Sequence, residues 1–117
     1  MEPLFILPYP KTMEQPNLDY ILQLARGEDA FKEKMFDIIK KELPLEIHAY
    51  NKCIETKNYK LAAECVHILK HKISVFGLEK SYYIAHEFET HLLNGKTECQ
   101  TEFESTLQLM LDFINSL

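Results

Sequence analysis

From Asn17 onward, apolar residues recur at spacings of three to five, the period of a helix buried along one face. No stretch alternates apolar and polar as a strand does. A first short helix is predicted from about Asn17 to Arg26, with Gly27 suited to the left-handed position that ends it. The second starts near Glu28, and Phe31, Met35, Ile38, Ile39, Leu43, Ile47, Tyr50 and Ile54 mark its buried stripe. Pro44 falls inside that stripe, where it removes one backbone hydrogen bond and is expected to bend the helix. Glu55 to Asn58 is polar and turn-like, and Asn58 suits the N-cap of a third helix running from Tyr59 to about Phe76. Gly77 ends it. The fourth spans about Leu78 to Leu93, with Ile84, Ala85, Phe88 and Leu92 apolar, and Asn94-Gly95 supplies its stop. Thr97 with Gln100 has the form of a capping box for the last helix, which is expected to bury Phe103, Leu107, Met110, Ile114 and Leu117. Four amphipathic helices with short connections predict an all-α fold, an antiparallel up-down-up-down four-helix bundle with a short additional N-terminal helix.

Residues 1–16 break this pattern. Pro3, Pro8, Pro10 and Pro16 make the segment a poor helix, so it reads as an extended arm laying Leu4, Phe5 and Ile6 on the body of the domain, or as a disordered tail. It lacks the basic start and long apolar run of a signal peptide, and Leu4 to Leu7 is far too short to cross a membrane. The remaining chain, 17–117, is the length of one domain. At 46% hydrophobic and 26% charged, the whole chain of 117 residues has the composition of an ordinary globular protein. Its net charge of −5 gives no support to nucleic-acid binding. Cys53, Cys65 and Cys99 are odd in number and lack CxxC spacing, which fits a reducing cytoplasm better than a disulfide framework or a thiolate zinc site.

The chemistry concentrates on the third helix. At about 100° per residue, Lys60, Ala63, Glu64, Lys70, His71 and Ser74 all fall within roughly 60° of His67. Leu61, Ala62, Cys65, Val66, Ile68, Leu69, Ile73, Val75 and Phe76 take the remaining arc. Lys72 is the one charge there, with a stem that can pack while its head reaches water. His67 is thus predicted to face solvent from the middle of a rigid helix. A solvated surface histidine is the ordinary reading of such a position, and face geometry alone does not displace it.

The stretch His67-Ile68-Leu69-Lys70-His71-Lys72-Ile73-Ser74-Val75-Phe76-Gly77 resembles the signature of histidine phosphotransfer domains, His-x-Leu-Lys-Gly followed by a glycine ten positions after the histidine. His67, Leu69, Lys70 and Gly77 match. Phe88-Glu89 is similar to the Leu-Glu pair of the family's next helix, and Glu42-Leu43-Pro44 and the entry Asn58 to Ala63 are also similar to family members. The resemblance covers about Asn17 to Leu117. It implies that His67 exchanges a phosphoryl group with a receiver-domain aspartate, that Lys70 is its charge partner, and that Gly77 allows the tight turn after the active-site helix. The implied partners are a response-regulator receiver domain and a hybrid histidine kinase. No cofactor of its own is implied, the receiver bringing Mg²⁺. The chain would be a stoichiometric carrier rather than an enzyme, and monomeric. Lys60, Ala63, Glu64, His71 and Ser74 would form the docking surface, small Ala63 permitting close approach. Two positions depart from the family: His71 stands where a small residue, often glycine, is usual, and Ser81 where an aliphatic one is common.

Other readings have less behind them. Glu64-x-x-His67 is the half-site of a carboxylate-bridged di-metal bundle, but no second Glu-x-x-His exists: Glu87 precedes His91 by four, and His86 and His91 lie five apart. A His67/His71 zinc pair has only two ligands. Cys65 falls on the apolar arc with no base paired to it, so cysteine catalysis has no support. A bundle that keeps the fold as a signalling scaffold and has lost transfer is the remaining alternative.

Overall fold

The computed structural model describes residues 14–117, and every regular element among them is an α-helix. These are α1 (Asp19–Ala25), α2 (Asp29–Glu55), α3 (Tyr59–Val75), α4 (Glu79–Leu93) and α5 (Gln100–Asn115). The sequence thus yields its helices within a residue or two of their predicted ends. The expected contacts of Leu4, Phe5 and Ile6 lie outside the described residues. No helix among the described residues is long and apolar enough to cross a membrane.

α3 is the central element. It packs on α4 along one flank and on α2 along the other, while α5 lies against α4 and α2, and α1 against α2. The core is filled by Leu43, Val66, Leu69, Ile73, Leu92 and Met110, all fully buried. An aromatic trio locks three helices together: the Tyr50 ring is 5.2 Å from that of Phe103 and 6.3 Å from that of Phe88, and Phe88 is 5.2 Å from Phe103. Burial of each such ring is worth roughly 2–3 kcal/mol. The Tyr50 hydroxyl donates to Glu104 Oε2 at 2.8 Å, and burial, reinforced by that carboxylate, holds the phenol far above its ordinary range.

Local capping follows the sequence in some places and departs from it in others. Asn58 caps α3 as predicted, its side chain accepting from the Leu61 N–H at 3.3 Å. The Thr97 capping box does not form. Cys99, with φ 76°, is the N-cap of α5 and offers no side-chain bond. Thr97 instead accepts the Gln100 N–H on its carbonyl, and the Gln100 amide reaches forward to Glu104 at 2.9 Å. Pro44 sits on the exposed side of α2, whose helical span runs through it. Phe31, Ile38 and Leu117, expected in the core, are exposed.

The α3–α4 turn is held from a distance. Glu14 accepts the Lys80 and Ser81 N–H groups at 2.7 and 3.1 Å, capping α4, which has no side-chain cap of its own at Leu78. The Asn17 N–H donates to the Phe76 carbonyl at 2.9 Å. Gly77, at φ 75°, fits beneath Asn17, whose amide nitrogen would stand 2.7 Å from an added Cβ. Gly77→Ala is therefore expected to cost about 1–2 kcal/mol, from the left-handed backbone together with displacement of Asn17. Gly27→Ala, where φ is also positive but nothing lies near, is the matched control. Urea unfolding of the two variants should show the larger loss at Gly77.

Candidate functional site

The exposed ridge of α3 is rotated from the one that equal spacing about His67 predicts. α4 covers the Ala63–Lys70 flank, and both residues are buried. On the opposite flank Leu61 and Ile68, expected on the apolar side, are about half exposed. Lys60, Glu64, His67, His71 and Ser74 stay on the surface. The predicted cluster thus divides. Lys70 does not rim the surface beside His67 but lies beneath it, and Ala63 forms part of the α3–α4 seam. The cause is the asymmetry of the neighbours, since α3 makes its largest contact with α4 and less with α2.

His67 keeps 57% of its side-chain surface in solvent. Its Nδ1 lies 3.1 Å from Glu89 Oε2, across the α3–α4 seam. A carboxylate oxygen only accepts, so Nδ1 is the donor, and in the neutral ring the lone pair resides on Nε2. The other Glu89 oxygen is 2.8 Å from Lys70 Nζ, in a close charge contact whose alignment is poor for a hydrogen bond. Lys70 has only 6% of its side chain exposed and Glu89 18%. The same ammonium is 3.1 Å from His86 Nδ1, to which it donates, and 5.4 Å from the centre of the Tyr82 ring. One carboxylate therefore bridges an exposed imidazole and a buried cation. His67 is oriented by Glu89, and Glu89 is fixed by Lys70.

Beside the imidazole is a shallow hollow of about 290 Å³ lined by Ala63, Glu64, His67, Ile68, Glu89 and Leu93. A larger one, of about 460 Å³, lies at the α3–α4 turn among Ser74, Gly77, Glu79, Tyr82 and Tyr83 and does not include His67. The His71 ring stands 5.7 Å from that of His67, nearly perpendicular to it.

Lys72, expected to snorkel, is instead clamped between α2 and α3 by Glu42 and Glu46, each at 3.0 Å. Burial works against its charge, but the two carboxylates outweigh it and hold the ammonium above the usual lysine range. This cation has a structural role. Cys65 faces Cys53 with the sulfurs 4.0 Å apart, and both are free thiols. Burial, and then the neighbouring Cys53, push the Cys65 thiol up to about 11, which leaves little thiolate at neutral pH. Among the described residues no three His, Cys, Asp or Glu side chains converge as a metal site.

His86 and Glu89 belong to the site although sequence reasoning did not place them there. Glu89 was singled out only for its place in the Phe88-Glu89 pair. The usable signal is their i, i+3 spacing on α4, which puts both on the face turned to the polar side of α3. Comparison of the chain with protein-family models, with curated proteins and with solved structures found no match.

Proposed function

We propose that the chain is a histidine phosphotransfer domain, a phosphorelay intermediate that accepts a phosphoryl group on His67 from a receiver-domain aspartate and passes it to another. In this reading α2 to α5 form the antiparallel up-down-up-down bundle and α1 is an addition to it. The observation that carries the proposal is the His67–Glu89–Lys70 chain of contacts. In the neutral ring it leaves Nε2 as the free nitrogen of an exposed, oriented imidazole.

The chemistry follows from that arrangement. The Nε2 lone pair attacks the phosphorus of an aspartyl phosphate, the N–P bond forms, and the acyl P–O bond breaks to leave a free carboxylate. Nδ1 keeps its proton, so the ring becomes cationic as it is phosphorylated. Glu89, already at Nδ1, offsets that charge where it develops. Lys70 keeps Glu89 in place from below. The receiver supplies Mg²⁺ and the charge stabilisation around the phosphoryl oxygens. Ile68 and Leu93, both exposed beside the imidazole, are the apolar part of the docking surface, with Lys60, Glu64, His71 and Ser74 around it. In this reading the chain is a stoichiometric carrier and a monomer, and a cytoplasmic location fits the free Cys53, Cys65 and Cys99.

The test is transfer from a panel of receiver domains charged with acetyl phosphate and Mg²⁺. The expected product is an acid-labile, base-stable phosphoramidate that peptide mapping assigns to His67. Absence of label across the panel, or an acid-stable label on a hydroxyl, overturns the reading and favours a non-transferring scaffold.

A further inference from the structure

The two basic side chains that sequence places three and four positions after His67 occupy different positions in the fold. Lys70 is buried, its ammonium turned away from solvent into Glu89, His86 and the Tyr82 face. It is the partner of the carboxylate behind the ring, on the Nδ1 side. The phosphoryl group arrives at Nε2, on the opposite side of the ring. The imidazole that stands beside the His67 ring on the exposed surface is His71, one turn along α3. The two ring centres are 5.7 Å apart with their planes nearly perpendicular, so the imidazoles are neighbours on one surface, and a turn of the His71 side chain can bring a ring N–H to an oxygen of a phosphoryl group on Nε2.

We propose that His71 is a phosphoryl-binding residue of this site: its ring N–H donates to an oxygen of the phosphoryl group carried on His67 Nε2. This rests on the transfer reading above and assigns to His71 the contact that the resemblance implied for Lys70. Its far side borders a hollow of about 310 Å³ among Tyr20, Ser74, Val75 and Tyr82. A large polar residue where the family usually carries a small one is then a replacement for the donor that Lys70 cannot supply from beneath the surface.

The distinguishing measurement is the equilibrium constant for phosphoryl exchange with one receiver, not the rate. A residue that only docks the receiver changes forward and reverse rates alike and leaves that constant unmoved. A residue that holds the transferred group shifts it. His71→Phe keeps the ring and removes the donor, and His71→Arg keeps a donor. The expected result is a shift of about fivefold toward phosphorylated receiver in His71→Phe, the size of one exposed charge-assisted hydrogen bond, with His71→Arg restoring the parent value. The melting temperature should be unchanged in both. An unchanged equilibrium constant with altered rates makes His71 a docking residue and overturns the proposal. Failure of the parent chain to take label on His67 removes the transfer reading itself, a different outcome that is visible before any variant is made.

Discussion

A His67→Gln chain is expected to fold as the parent does and to lose phosphoryl uptake by more than about 1,000-fold, since a glutamine amide is no nucleophile. The substitution isolates the chemistry from the structure. His67 is largely exposed, so its removal opens no cavity, and the glutamine amide can still donate to Glu89 from nearly the same place. The melting temperature should stay within about 2 °C of the parent. Uptake is read by intact-mass detection of the phosphorylated species after exposure to charged receiver, melting by circular dichroism. Retained uptake by His67→Gln would move the acceptor elsewhere, with His71 the nearest exposed imidazole. Lost uptake with a collapsed melting temperature would instead make His67 a structural residue, against its exposure.

Much of this site was legible from residue spacing alone. A period near 3.6, broken at Gly27, at Glu55 to Asn58, at Gly77 and at Asn94-Gly95, defines all five helices. The exposure of His67 follows from charged and small residues gathered on one face of α3. What spacing does not contain is the direction from which neighbours approach. Ala63 and Lys70 lie on the same side of His67, and whichever helix packs there buries both. That helix is α4, and nothing within α3 announces it. Lys70 therefore reads from sequence as a surface cation and is in fact the buried base of the site. The partners that meet its ammonium, Glu89 and His86, come from another helix and a different stretch of chain. The Thr97 cap failed for a related reason: several residues in one turn can satisfy the same N–H groups, and a carbonyl took the position assigned to a hydroxyl.

Glu89→Ala should show the largest loss of stability of any single change near His67, about 3 kcal/mol, or a fall in melting temperature of roughly 12 °C for a chain of this size. The loss comes from what is left behind rather than from the contact removed. Without Glu89, the Lys70 ammonium is buried with only the His86 imidazole and an aromatic face for company, and no carboxylate offsets its charge. Phosphoryl uptake should fall as well, by about 100-fold, because the His67 ring loses both its fixed tautomer and the charge that meets the developing imidazolium. The two effects can be separated. In a Lys70→Met, Glu89→Leu double variant the ion pair is replaced by apolar side chains of similar bulk, an exchange that is often neutral or favourable in a buried seam. Stability should return to within about 1 kcal/mol of the parent while uptake stays low. Recovery of both properties together would mean that the carboxylate serves only the fold, and the ordering of His67 would then have to come from α3 itself. Recovery of stability alone places the Glu89 carboxylate in the transfer chemistry, acting through the ring proton that it holds.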